Sequence, residues 1–184
     1  VCRAIVGRVL YFTKDVEGAL AVLSTVVNDV EPDLEHHPDE GMCEAEHFVL
    51  SLRDISQIIW ELTKNGAAAL QYLDKAFAIC REFPYRFHTE ARGDIWYRHL
   101  NMLNESGSGE KAIADAREMV EKEKKESHAP RPIIPDPLYE TVNPYIFYSL
   151  RFLAEQAYKA GKTAEACALF DEAYRYFPLS QAGV

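Results

Sequence analysis

No stretch of this chain comes near the ~18 uninterrupted apolar residues that a membrane-spanning helix needs. The best apolar run, residues 4–12, is broken by Arg8, so no ordinary membrane span is expected. Cysteine is sparse and scattered: Cys2, Cys43, Cys80 and Cys167 lie about 40 to 90 residues apart, and no C-x-x-C pair occurs. That pattern gives no disulfide framework and fits reduced thiols in a cytoplasmic protein. Basic charge is also short, with 20 Lys plus Arg against 29 Asp plus Glu and a net charge of −9. That balance repels phosphates, so direct nucleic-acid binding is not expected. Gly and Pro number only 9 each, too few for a disordered or collagen-like chain. Catalytic signatures are missing too. No G-x-S-x-G, G-x-x-x-x-G-K-[ST], H-E-x-x-H or G-x-G-x-x-G occurs, and Gly107-Ser108-Gly109 is better read as a turn than as a phosphate cradle. Neither an enzyme nor a cofactor is therefore expected.

What the chain does have is helical periodicity. Its 184 residues suffice for one domain with its own core. Apolar residues recur at i, i+3, i+4 and i+7 in eight stretches, near 2–13, 15–29, 41–64, 66–82, 88–105, 109–126, 141–160 and 162–177. No stretch alternates with period two long enough to compel a strand, so the fold class is all-α. Pro32 and Pro38 bracket one loop, Pro84 follows a helix end, and Gly107 and Gly161 mark tight turns. Residues 127–144 form a proline-rich connection, with Pro130, Pro132, Pro135, Pro137 and Pro144 excluding regular helix. The helical pattern is already running at Val1, which has no Met before it. The expectation is a single helical-repeat domain over 1–184 taken from a longer chain.

The helices fall into pairs. In the last pair, Leu150, Leu153, Ala154 and Ala157 form one stripe; Gly161 turns the chain; Ala166, Leu169, Phe170 and Ala173 form the next stripe before Pro178. Small residues on facing stripes let two antiparallel backbones approach, with Phe170 expected to fill the space beside them. Leu153-Ala154, Gly161, Ala166, Phe170, Ala173 and Pro178 resemble the tetratricopeptide-repeat pattern, lacking its leading Trp and its Tyr. Weaker echoes are Val6-Gly7-x2-Leu10 with Ala19-x3-Leu23-x2-Val26, and Leu52-x2-Ile55-Ser56-x2-Ile59 with Ala69-x3-Leu73-x2-Ala76. A third is Trp96-x3-Leu100-x2-Leu103 with Ala112-x3-Ala116-x2-Met119. The opening alanines are spaced 50, 43 and 54 residues apart, whereas regular repeats recur at about 34. The extra length falls in the loops near 30–42 and 127–144 and in longer helices. The resemblance implies a right-handed α-solenoid of about four antiparallel hairpins.

In that architecture the first helix of each hairpin lines a concave groove. The resemblance places Arg8 and Tyr11 there from the first hairpin, and Arg53, Gln57 and Glu61 from the second. The third contributes Tyr97, Asn101 and Asn104, and the fourth Arg151, Glu155 and Tyr158. Such a mixture of amides, aromatics and charges suits an extended or helical peptide. The expected partner is therefore a protein or peptide, held by a scaffold or adaptor; homo-oligomerisation is left open. The family's basic clamp for a C-terminal carboxylate is not reproduced. A second expectation is the ligand- or peptide-sensing domain of a bacterial transcription regulator whose DNA-binding domain lies outside the chain.

Two clusters carry rival chemistry. Cys43 and His47 stand i, i+4 on a helix, with His36 and His37 upstream, as a zinc-like site would need. Their spacing matches no standard zinc pattern, and Asp39, Glu40, Glu44 and Glu46 are explained by the helix N-terminus, so no metal is expected. Cys80 with His88 suggests a thiol and a base, but Cys80 shares an apolar stripe with Leu73, Ala76 and Phe77 and reads as core. Tyr139, Tyr145, Phe147, Tyr148 and Phe152 read as a seal between a hairpin core and the proline-rich loop.

Overall fold

A computed structural model describes residues 1–29, 42–84, 87–127 and 143–176. Among them are eight helices and no strand: α1 (Cys2–Phe12), α2 (Val16–Asp29), α3 (Met42–Thr63), α4 (Gly66–Glu82), α5 (Thr89–Glu105), α6 (Gly109–Ser127), α7 (Pro144–Lys159) and α8 (Thr163–Tyr174). No helix among the described residues is long and apolar enough to cross a membrane. The start of α7 shows the local logic. Asn143 accepts hydrogen bonds from the amides of Tyr145 and Ile146 at 3.0 and 3.1 Å, and Pro144 sits where its missing N–H costs nothing.

The four short turns that join α1 to α2, α3 to α4, α5 to α6 and α7 to α8 have one backbone feature in common. Each holds a residue of positive φ: Lys14 at 71°, Lys64 at 54°, Gly107 at 89° and Gly161 at 76°. In three of them the next amide reaches back five residues, from Asp15 to Leu10, Ser108 to Leu103 and Lys162 to Ala157, which satisfies an orphan carbonyl at the helix end. The recurrence of this turn marks four comparable hairpins.

Packing follows chain order. The members of each hairpin lie against each other; α2 packs on α3, α4 on α5 and α6 on α7; and α1, α3, α5 and α7 contact one another in sequence. This neighbour-to-neighbour arrangement is compatible with a helical repeat. Small residues make the close approaches. Ala19, Ala69, Ala112 and Ala166, each near the start of a second helix, are 0–2% exposed. A Cβ on Gly7 would lie 2.7 Å from the Leu23 side chain, and one on Gly93 would meet the Tyr148 ring.

The core runs through the hairpins as overlapping apolar clusters. Leu23 meets Ile55 and Ile58; Leu52, Leu73, Cys80 and Ile95 join the second hairpin to α5. Trp96, Leu100, Ala112, Ala116 and Phe152 bind α5, α6 and α7 together. Within this last cluster the Trp96 indole donates to Ser149 Oγ at 2.8 Å and stacks on Phe77 at 4.8 Å. Cys80 is core, as its stripe implied, and burial pushes its thiol up to about 12. Phe170 does not fill the last hairpin: it is 37% exposed, and Leu169 takes the inward place against Ala173 and the α7 residues Ile146 and Leu150. Residues Tyr139, His36 and His37 lie outside the described residues.

The core also holds a titrating group. Burial keeps the His99 imidazole below its ordinary value of 6.5, overcoming the nearby Asp74 carboxylate, 2.9 Å from Nε2. His47 is displaced in the same direction, again chiefly by burial. The folded chain therefore binds a proton less readily than the unfolded one. The stability these two imidazoles contribute is fully present above about pH 6.5 and is lost as the solution is acidified below that value. His99→Phe keeps a ring stacked on Trp96, 5.4 Å away, and should make the fall in melting temperature between about pH 7.5 and 5.5 shallower. A fall as steep as the parent's would assign the effect elsewhere.

Candidate functional site

The four odd-numbered helices each turn a polar stripe to one common face. Arg8 and Tyr11 come from α1; Arg53, Asp54, Gln57 and Glu61 from α3; Asp94, Tyr97, Arg98 and Asn101 from α5; and Tyr148, Arg151, Glu155 and Tyr158 from α7. Spacings of three, four and seven residues hold each set on one side of its helix. Contacts between neighbouring odd helices then join the stripes.

Charge alternates across the face. Arg8 Nε lies 2.9 Å from the Asp54 carboxylate, Arg53 lies 2.6 Å from Asp54 and 2.7 Å from Asp94, and Arg98 lies 3.1 Å from Asp94. The first helix is thereby tied to the third, and the third to the fifth. Further hydrogen bonds link the same stripes and add α7. The Tyr11 hydroxyl donates to Glu61 at 2.6 Å, and Gln57 donates to the same carboxylate at 2.9 Å. From α5 the Tyr97 hydroxyl donates to Glu155 on α7 at 2.6 Å, while Arg151 reaches Glu155 at 3.0 Å and lies 4.6 Å over the Tyr97 ring. Tyr148 flanks Tyr97 at 5.7 Å.

These contacts set the protonation states. Burial, reinforced by Glu155, raises the Tyr97 hydroxyl above its ordinary range, and burial together with Glu61 does the same for Tyr11. Burial works against ionisation of Glu61 and Arg53, but it is outweighed: hydrogen bonds from Gln57 and Tyr11 lower Glu61, and Asp54 with Asp94 raises Arg53. Both tyrosines stay neutral donors near pH 7 while Glu61 and Arg53 stay charged. The face is thus a fixed array of hydrogen-bonding groups.

An open cleft of about 370 Å³ lies between α3 and α5. Gln57, Asp94, Tyr97, Arg98 and Asn101 line it, with Met102 and Glu105 at one end. Asn101 donates to its own helix at the Tyr97 carbonyl, 2.9 Å away, which fixes its carboxamide at the cleft wall. Arg98 keeps 42% of its side chain exposed there. Two expected residues stand apart. Asn104 places its carboxamide against Gly109 at the start of α6, where a Cβ would lie 2.7 Å from its oxygen. Tyr158 continues the α7 stripe but is 66% exposed. Sequence reasoning missed Asp54, Asp94, Arg98 and Tyr148. The i, i+4 spacing of Asp94 and Arg98 was the one local signal available.

The other clusters gather less. Among the described residues no group of three or more His, Cys, Asp or Glu side chains converges as a metal site would need. His36, His37 and the Cys43 side chain lie outside those residues. Cys2 and Cys167 are exposed free thiols, and Cys80 is a buried one. No family model, no curated protein and no solved structure matches this chain; its helix packing is compatible with a helical repeat.

Proposed function

We propose that this chain is a non-catalytic scaffold or adaptor module that grips a peptide or protein segment on the face shared by α1, α3, α5 and α7. The finer architecture we propose with it is a tetratricopeptide-like right-handed solenoid of four hairpins, with the odd helices on its concave side. One observation carries the reading: ion pairs and hydrogen bonds tie the polar stripes of four helices far apart in sequence into one row, with an open cleft of about 370 Å³ between the two central helices, α3 and α5. Cross-linking within the face fixes its groups before any ligand arrives, which lowers the ordering cost of binding. The cleft offers an amide on each wall and an exposed guanidinium, a mixture suited to backbone amides with a few side chains.

Peptides selected from a random display library should bind the cleft. Arg98→Ala with Asn101→Ala should weaken such a peptide by tenfold or more, about 1.4 kcal/mol. The melting temperature should hardly move, because Arg98 gives up only a partly solvated pair on its own helix, of the ~0.3–0.5 kcal/mol kind. Retention of full affinity by the double variant, or amide shifts on binding confined to the even-numbered helices, would refute the groove.

A further inference from the structure

We propose that a second cleft, between α6 and α8, binds a small organic acid: a monocarboxylate with a compact apolar body. The site lies apart from the α3–α5 cleft and does not depend on what the common face grips.

This cleft arises because two helices share a third. Both α6 and α8 lie against α7. Their later turns meet, with Val120 and Ala173 in one apolar cluster and Lys124 paired with Glu172 at 2.6 Å. Their earlier turns stand apart, and an opening of about 160 Å³ lies between them. Leu153, Gln156, Ala157 and Ala160 of α7 line it, at the i, i+3, i+4, i+7 spacing that puts four residues on one stripe. Ile113 of α6 and Leu169 of α8 complete the apolar lining from either side. Ala157 and Ala160 keep the space open, because neither side chain is long enough to fill it. An apolar cavity of ~150 Å³ already takes a benzene-sized molecule, whereas drug-sized pockets run to roughly 300–1,000 Å³. Size therefore selects a small molecule.

The polar groups select its charge. Two of them lack partners among the described residues. The Gln156 Nε2 is buried with no acceptor in reach, and Arg117, exposed on the α6 side, makes no hydrogen bond or ion pair. Opposite them, Lys162 and Glu165 answer each other at 3.4 Å, so the positive charge of Arg117 is left uncompensated at the cleft. A guanidinium and a carboxamide N–H are donors only, and a buried donor without an acceptor is costly. A carboxylate supplies acceptor oxygens and negative charge together, while its apolar end displaces water from the lining. Inorganic phosphate would meet the same donors but leave Ile113, Leu153 and Leu169 wet.

Titration of the full chain with 4-methylpentanoate, followed by backbone amide shifts, gives the test. The acid should saturate with a Kd of about 1 mM or tighter, within reach of a ligand of about eight non-hydrogen atoms. The shifted amides should fall around Ile113 and Arg117, from Leu153 to Glu165, and at Leu169. The alcohol of the same carbon skeleton should bind at least tenfold more weakly. Arg117→Gln, at an exposed site, should cost the acid tenfold or more in affinity with circular dichroism unchanged. Gln156→Leu should also weaken the acid while raising the melting temperature of the free protein, because it deletes a buried donor that nothing satisfies. No saturable binding would overturn the proposal, as would equal affinity for acid and alcohol, full affinity in both variants, or shifts centred on Tyr97 and Asn101. N-acetylglycylleucine carries the same head group at a chain end, and tighter binding of that peptide than of the free acid would overturn the assignment to a small molecule. None of these outcomes touches peptide binding at the α3–α5 cleft, which is read separately through Arg98 and Asn101.

Discussion

Phe152→Ala should destabilise the protein by about 3–5 kcal/mol. The Phe152 ring is 0% exposed and lies among Trp96, Leu100, Ala112 and Ala116, so it carries the contact of α7 with both members of the third hairpin. Truncation removes the transfer energy of the ring and leaves a cavity that helices already touching through Gly93 cannot close. Because the ring seals α7 against the third hairpin, the loss should fall on the last hairpin first. Urea melts followed by circular dichroism should show a lower midpoint, and amide exchange in α7 and α8 should rise before that in α3. Phe147→Ala, at a half-buried position on the same helix, should cost less. A loss below about 1 kcal/mol at Phe152 would mean that the ring does not hold the hairpins together.

Asp54→Ala is the second large effect. The Asp54 carboxylate is 9% exposed and accepts from Arg8 Nε, Arg53 Nε and Arg53 Nη2. Removing it leaves two guanidiniums together in a largely buried place, where a charge stripped of its partner costs roughly 3–5 kcal/mol. Arg8 keeps 25% of its side chain in solvent and Arg53 retains Asp94, so the expected loss is near the low end, about 3 kcal/mol. Asp54→Asn keeps the acceptor oxygen and should recover part of it. A double-mutant cycle with Arg8→Met should give a coupling of about 1 kcal/mol or more. Independent effects at the two sites would mean that α1 and α3 do not meet along this face.

The helices themselves were legible in the sequence because two local signals agreed. Apolar periodicity ran through each element, and Gly107 and Gly161 marked where it stopped, whereas Pro144, read as part of the connecting loop, instead opens α7. The expected bounds differ from the observed helices by three residues at most where the structure describes them. Small residues at Ala19, Ala69, Ala112 and Ala166 likewise announced close packing, because only a short side chain admits a second backbone there. Lys14 and Lys64 gave no such notice. A lysine in the left-handed region is unfavourable by itself, and its place is forced by the helices on either side.

The face was half legible. Periodicity placed Arg53, Gln57 and Glu61, or Arg151 and Glu155, on one side of a helix. It was silent on the register between hairpins, and that register decides that Arg53 meets Asp94 or that Tyr97 meets Glu155. Asn104 shows the same limit, since a fraction of a turn takes it from the cleft to the start of α6. Phe170 shows another: its stripe revealed an apolar side chain, but not that its neighbour Leu169 would take the inward place.

Nuclear Overhauser contacts among the polar side chains of the odd helices probe the common face most directly. The account predicts cross-peaks from the Tyr97 ring to the Tyr148 ring and the Arg151 methylenes, and from the Tyr11 ring to the Glu61 side chain, alongside those inside each hairpin. Hairpins giving their internal cross-peaks while both of these sets are missing would contradict it.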